Sequence, residues 1–176
     1  MGPMTRIIHA GQHADPQTGA VSVPIYQSST FAFKNADHGA ACFRGDVDGG
    51  FIYTRLGNPT VQALERSLAA LENGCGALGC ATGMAAVNLV YLALLGQGDR
   101  VVCTDTLYGP SRLVLEKEYT RFGIASAFVD TSDLAQLRDA VAGGARLVYL
   151  ETPANPTLKL ADIAAAARIA HDAGAL

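Results

Sequence analysis

Hydrophobic residues recur at helical spacing in the segment that begins at Asn58-Pro59. Asn58 is a good N-cap, and Pro59 suits the first helical position because its missing N–H needs no partner there. Four apolar residues then follow at intervals of three or four positions: Val61, Leu64, Leu68 and Leu71. This spacing predicts a helix with one apolar face, which ends at Asn73-Gly74.

Beyond this helix, short apolar runs alternate with longer segments of helical periodicity. The predicted strands are residues 77–80, 100–104, 124–129 and 146–150. The predicted helices run from Thr82 to about Leu95 and over residues 111–122, 133–141 and 161–173. The helix at 133–141 should be capped near Thr131 or Ser132, and the last helix should start near Asp162. Such alternation predicts an α/β fold, with a mostly parallel sheet covered by helices on both faces.

Residues 1–58 differ from the rest, because they are rich in Gly, Pro, Ser and Asp and have only one strand-like stretch, residues 29–33. We therefore expect residues 1–58 to form an extended arm that lies on another surface, such as that of a partner subunit. Residues 59–176 would form the first part of a larger domain, because the chain ends where the next strand should begin.

Composition excludes several classes of protein. Of the 176 residues, 49% are hydrophobic, which is enough to form a buried core. The net charge is -3, so neither nucleic acid nor an anionic membrane is an expected partner. The longest apolar stretch, residues 85–95, is shorter than the ~20 residues of a membrane span. Without an export signal, we expect a cytoplasmic protein. The four cysteines lack zinc spacing, so we expect no metal site and mostly buried thiols.

Candidate chemistry lies in three loops that follow predicted strands, because ligands of open α/β sheets bind at the carboxyl ends of strands. Gly83 opens a helix, whose free N–H groups can bind a phosphate, although a plain strand–turn–helix connection fits as well. Tyr108 can stack on a planar cofactor or pack as a rim residue. Asn155, between Pro153 and Pro156, can present its side chain to a ligand or form an Asx-turn.

Tyr53 and Arg55 form a further pair of candidates. They are two positions apart, so on an extended strand their side chains share a face. Arginine forms forked hydrogen bonds to phosphate, and tyrosine adds a hydroxyl donor. The alternative is a surface arginine beside a packed tyrosine.

Together these segments resemble a known family. The motifs PIYQSSTFAF, YTRLGNPT, ATGM, DTLYG and ETPANPT occur in the order and at the separations typical of the Cys/Met-metabolism enzymes that use pyridoxal 5'-phosphate (PLP). That family includes methionine γ-lyase, cystathionine γ-synthase, cystathionine β- and γ-lyases and O-acylhomoserine sulfhydrylases. The resemblance runs from about residue 5 to residue 176. It implies the fold of type-I PLP enzymes, like that of aspartate aminotransferase.

The resemblance also implies a role for each candidate in the three loops. Gly83 and Met84 match backbone donors to the phosphate of the subunit's own cofactor. Tyr108 matches the ring that stacks on the pyridine and assists proton transfer, and Asn155 matches the residue that binds the cofactor's phenolic oxygen. Glu151 opens the same loop and would have a supporting role.

Tyr53 and Arg55 match residues that reach the cofactor phosphate of a neighbouring subunit. The resemblance therefore implies a homo-oligomer, a dimer of dimers, with sites shared across the dimer interface. It would act on a small amino-acid substrate.

Two cues on the reaction disagree. The segment GAACFRGD looks like methionine γ-lyases, whereas Pro110, two residues after Tyr108, looks like cystathionine β-lyases. We expect a PLP-dependent C–S lyase most like methionine γ-lyase, which eliminates a thiol and leaves 2-oxobutanoate and ammonia. The alternative is γ-replacement, as in an O-acylhomoserine sulfhydrylase or cystathionine γ-synthase.

A third reading is a non-catalytic fragment. Lys34, Lys117 and Lys159 match no Schiff-base motif, and the family's lysine and pyridine-binding aspartate fall beyond residue 176. The fragment alone is therefore predicted to be inactive, and Lys159 is expected to be a solvated charge.

Overall fold

A computed structural model describes residues 2–47 and 49–176. The chain divides into two compact units, one that ends at Gly79 and one that runs from Cys80 to Leu176. Within the described residues, no helix is both long enough and apolar enough to cross a membrane.

In the described part of the first unit there are three helices: α1 (Pro3–His9), α2 (Ala36–Arg44) and α3 (Pro59–Glu72). Helix α3 was predicted, and its caps are as expected: Asn58 Oδ1 accepts from the N–H of Thr60 at 2.9 Å, and Asn73 adopts φ 53° at the other end. Sequence reasoning missed α1 and α2. Both are short, and α2 contains Gly39, which disfavours a helix until Phe33 packs against it.

The predicted strand at residues 29–33 is absent, because only Thr30 pairs there, in a single antiparallel bridge to Tyr53. The predicted strand at residues 77–80 is also absent. The N–H of Gly79 donates to the carboxylate of Glu65 at 2.7 Å. A side chain of α3 therefore binds the backbone N–H that pairing with a neighbouring strand would need.

The sheet of the second unit consists of β1 (Arg100–Thr104), β2 (Ala125–Val129) and β3 (Leu147–Tyr149). Their order is β2-β1-β3, and both pairs are parallel. These are three of the predicted strands, with β2 shorter by one residue at its start and β3 by one at each end. The predicted parallel sheet is thus confirmed for these strands.

Four helices surround the sheet: α4 (Gly83–Leu94), α5 (Gly109–Leu113), α6 (Leu134–Ala142) and α7 (Ile163–Asp172). The predicted helix after Tyr108 is not regular throughout, because α5 continues as a π-helical segment (Val114–Glu118) and a 3-10 turn (Tyr119–Phe122). Helix α6 is capped by Asp133, not by Thr131 or Ser132, and α7 by Asp162 as predicted.

Alternate residues of β1 point to two separate cores, because successive side chains of a strand project to opposite faces. Val101 packs with Tyr91 and Leu115 on one face, while Val102 packs with Leu137 and Ala166 on the other. Helices therefore cover both faces of the sheet, as predicted.

None of the four cysteines is in a disulfide. Cys42 and Cys103 are buried as expected, but Cys75 and Cys80 are exposed, so the prediction of buried thiols is wrong for those two.

Candidate cofactor site

Polar contacts connect the loop after β3 with the loop after β1, and α5 with the start of α4. The carboxylate of Glu151, after β3, accepts a hydrogen bond from the backbone N–H of Tyr108, after β1, at 2.7 Å. The hydroxyl of Ser111, in α5, lies 3.5 Å from the sulfur of Met84, in α4. The beginnings of α4 and α5 and the loop after β3 therefore form one contiguous region of the second unit.

The amino end of α4 has backbone N–H groups that no described residue accepts from. Thr82 caps the helix, because its hydroxyl accepts from Ala85 N at 3.0 Å and its carbonyl accepts from Ala86 N at 3.1 Å. Among the described residues, none accepts from the N–H of Gly83 or Met84. A Cβ added at Gly83 would meet no atom within 4 Å. An anion can therefore approach two N–H groups at the positive end of a helix.

Tyr108 presents its ring to solvent while its backbone is held. The residue precedes α5, its carbonyl accepts from Arg112 N at 3.1 Å, and 57% of its surface is exposed. Together with the bond to Glu151, these contacts fix the backbone and leave the ring accessible. A planar cofactor could stack on it.

Asn155 lies in a loop that closes on itself. Ala154, which is fully buried, donates from its N–H to Lys159 O at 3.0 Å and accepts from Leu158 N at 2.7 Å. Asn155 is exposed, and within the described chain its carboxamide makes no hydrogen bond, so the Asx-turn alternative has no support here. The amide is free to bind a ligand.

Tyr53 and Arg55 belong to the first unit. The expected extended strand is wrong for them, because the carbonyl of Tyr53 accepts from Leu56 N at 2.8 Å and from Gly57 N at 3.1 Å, which makes a turn. The guanidinium of Arg55 still lies 5.2 Å from the centre of the Tyr53 ring. Both side chains are exposed, so the hydroxyl and the guanidinium remain available as donors.

Lys159 lies in a loop, as expected, but its charge is ion-paired and only partly exposed to solvent. Its ammonium lies 2.7 Å from Asp130 Oδ2 and 3.5 Å from Asp105 Oδ1, and 29% of its side chain is exposed. The hydrogen bond to Asp130 raises the pKa of Lys159, and the bonds from Lys159 and Ser132 lower the pKa of Asp130 to about 2. The pair is therefore ionised at neutral pH.

The sequence carried no signal for this ion-pair cluster, since Asp105, Asp130 and Lys159 lie in three different loops. Only the parallel order of the strands brings them together. Within the described residues, no group of three or more His, Cys, Asp or Glu side chains could hold a metal ion.

Comparison with known proteins identifies the class. The model of the family described as "Cys/Met metabolism PLP-dependent enzyme" matches residues 4–176, so the chain belongs to that family. The L-methionine γ-lyase of Pseudomonas deceptionensis is 44% identical over 97% of this chain and 42% of its own length. The cystathionine γ-synthase of Mycobacterium bovis is 45% identical over 99% of this chain and 43% of its own length.

Solved structures agree with the fold. The crystal structure of metB from Corynebacterium glutamicum superposes with a TM-score of 0.85 at 34% identity, over 99% of this chain and 43% of that one. That of cystathionine γ-lyase from Lactobacillus plantarum, complexed with L-serine, gives 0.84 at 37% identity, over 100% of this chain and 43% of that one. The chain thus has the fold of type-I PLP enzymes and spans less than half the length of these relatives.

Proposed function

We propose that the protein carrying this chain is a PLP-dependent C–S lyase most like methionine γ-lyase. It would convert a γ-thio amino acid and water into a thiol, 2-oxobutanoate and ammonia. The observation that carries the proposal is the contiguous region described above, where spare N–H donors, an exposed aromatic ring and an exposed amide occur together on a chain 44% identical to an L-methionine γ-lyase.

The residues present fit PLP. The N–H groups of Gly83 and Met84 would hold the phosphate, because they have no other acceptor in the described chain. The ring of Tyr108 would stack on the pyridine, and the amide of Asn155 would donate to the phenolic oxygen. PLP, when bound, supplies an electron sink for negative charge at the substrate's α-carbon.

Tyr108 would also move protons. Its phenolic oxygen can accept or donate a proton, and its backbone is held by Glu151 and Arg112. A fixed backbone restricts where the phenolic oxygen can lie, and this favours transfer to one position on the substrate.

Tyr53 and Arg55 would bind the phosphate of a neighbouring subunit's cofactor. Their exposed donors, held close together by the turn, support this role. We accordingly propose a homo-oligomer, assembled as a dimer of dimers, in which residues 1–58 act as the arm that reaches the partner. A reducing cytoplasm is the proposed location, which agrees with cysteines that form no disulfide.

The second candidate is γ-replacement, favoured by the 45% identity to a cystathionine γ-synthase. The full-length protein loaded with PLP should be given L-methionine in one assay, and O-acylhomoserine with cysteine or sulfide in another. Release of methanethiol and 2-oxobutanoate supports the lyase. Efficient replacement without methanethiol would exclude the lyase and favour the second candidate.

A matched variant tests the role of the hydroxyl. Tyr108→Phe keeps the ring and removes the acid–base group, so PLP should still bind while turnover falls by about 100-fold or more. Unchanged turnover would contradict the role of Tyr108 in proton transfer.

A further inference from the structure

We propose that Lys159 is a positioning residue, which holds the loop around Asn155 in the conformation that lets the amide reach PLP. The inference rests on the proposed cofactor role of Asn155. Lys159 does not touch the cofactor in this proposal and acts through its neighbour in the loop.

Lys159 holds the loop through both its backbone and its side chain. Its carbonyl accepts from the N–H of Ala154 at 3.0 Å, next to Asn155. Its ammonium binds Asp130 at 2.7 Å and lies 3.5 Å from Asp105. Lys159 thereby helps Leu158 to close the loop, and it attaches the loop to the residues that follow β1 and β2.

The two residues that receive the ammonium are themselves held in place, Asp130 through its carboxylate and Asp105 through its backbone. Asp130 Oδ1 accepts from the backbone N–H of Ser132 at 2.9 Å and from its hydroxyl at 2.6 Å. The N–H of Asp105 donates to the carbonyl of Val129, at the end of β2, at 2.8 Å. Both partners of the ammonium are therefore connected to the edge of the sheet from which they extend.

The loop needs such an attachment because its backbone is strained. Leu158, directly before Lys159, has φ 56°, in the left-handed region that disfavours residues other than glycine. A strained residue persists only where its surroundings determine its conformation. The hydrogen bond from the N–H of Leu158 to Ala154 O, at 2.7 Å, and the ion pairs of Lys159 supply that constraint here.

These pairs differ from ordinary surface pairs. Arg44 and Asp46 are 63% and 56% exposed, whereas Lys159 and Asp130 are each 29% exposed and Lys159 has a second partner. Exposed pairs contribute little, but less solvated pairs within a cluster contribute more. Loss of the ammonium should therefore loosen the loop measurably.

The test compares Lys159→Met, Lys159→Arg and the control Lys117→Met in the full-length protein. Lys117 is exposed and forms no ion pair within the described chain. The dissociation constant of PLP is measured on protein stripped of cofactor, which requires no turnover. We expect Lys159→Met to weaken binding by about three- to tenfold, Lys159→Arg to stay within about twofold of wild type, and Lys117→Met to bind as wild type does.

A double-mutant cycle separates positioning from general stabilisation. If Lys159 acts through Asn155, Lys159→Met should weaken PLP binding in the wild type but change it by less than about twofold in Asn155→Ala. Equal effects in both backgrounds would overturn the proposal, as would wild-type affinity in Lys159→Met. Should Lys159→Met fail to fold, the same cycle is run with Asp130→Asn, which removes the charge that receives the ammonium. The same criterion applies: equal effects on PLP binding in both backgrounds would overturn the proposal.

The cycle distinguishes this inference from the proposed function. A wild-type protein that binds PLP but neither eliminates nor replaces at the γ-carbon would refute the proposed reaction. The role of Lys159 would still be judged by the dissociation constants.

Discussion

The backbone N–H of Tyr108 donates to the carboxylate of Glu151 at 2.7 Å. This contact joins the residue that precedes α5 to the residue that opens the loop after β3. It also connects the two loops that carry the proposed stacking ring and the proposed amide donor. Glu151 therefore links the two loops that carry the proposed cofactor contacts, which goes beyond the supporting role that the resemblance implies for it.

Replacing Glu151 should weaken both the fold and the site. A hydrogen bond to a charged acceptor is stronger than a neutral one, but Glu151 is partly exposed, so Glu151→Ala should lower the free energy of unfolding by about 1 kcal/mol. Glu151→Gln keeps an acceptor and should lower the free energy of unfolding by less than half of that amount. Urea denaturation of the full-length protein measures the difference, and a destabilisation equal in both variants would contradict the importance of the acceptor.

Gly83→Ala should separate phosphate binding from stability. A Cβ at Gly83 meets no protein atom within 4 Å, so the fold should be as stable as wild type or slightly more stable. A phosphate in front of the N–H groups would collide with that methyl group, and PLP affinity should fall by about tenfold or more. Titration of PLP into cofactor-free protein gives the affinity.

Gly76→Ala is the matched control, since a Cβ there also meets nothing within 4 Å. It should leave PLP affinity unchanged. Wild-type affinity in Gly83→Ala would place the phosphate elsewhere.

Acid should release the attachment of Lys159. The pKa of Asp130 falls from its ordinary 3.8 to about 2, chiefly because of the hydrogen bond from Lys159. A depressed pKa contributes stability that is present above the unfolded value and is lost as the pH falls towards the folded value. Between about pH 4 and pH 2 the wild type should therefore lose the part of its free energy of unfolding that the ionised Asp130 contributes. Asp130→Asn lacks this contribution at every pH, so its stability should fall less over the same range.

The measurement is the free energy of unfolding of both proteins over that pH range. The two curves should converge as the pH decreases, with Lys117→Met parallel to wild type throughout. Curves that stay parallel for wild type and Asp130→Asn would show that the pair contributes nothing to stability.

Cys103 should be chemically inert in the folded protein. Burial raises the pKa of its thiol to about 12, so the reactive thiolate is nearly absent at neutral pH, and the side chain is fully buried in β1. An alkylating reagent should label Cys103 only after unfolding in urea, as read by mass spectrometry. Labelling of Cys103 under native conditions would contradict the packing of this core.

Several elements followed from local sequence alone. The apolar spacing of Val61, Leu64 and Leu68 with the caps Asn58 and Asn73 determined α3, because capping and periodicity act within a few residues. The β-branched run of β1 determined a buried strand for the same reason. The motifs around Gly83, Tyr108 and Asn155 were enough to place the chain in its family, which the family model confirms.

Other features needed the tertiary structure. Residues 77–80 have the composition of a strand, yet Glu65 accepts the hydrogen bond of Gly79, and no local pattern shows which distant group will take a backbone donor. Helix α2 contains a glycine whose neighbour Phe33 lies outside the helix.

The chain's local chemistry thus determined α3, α4, α6 and α7, the three strands of the sheet and the residue types of a candidate PLP site. The tertiary structure alone decided that Lys159 meets Asp130 and Asp105, and that Glu151 meets Tyr108. The physical reason is that these pairs arise where parallel strands end side by side. Their proximity depends on strand order, a property of the whole sheet rather than of any segment.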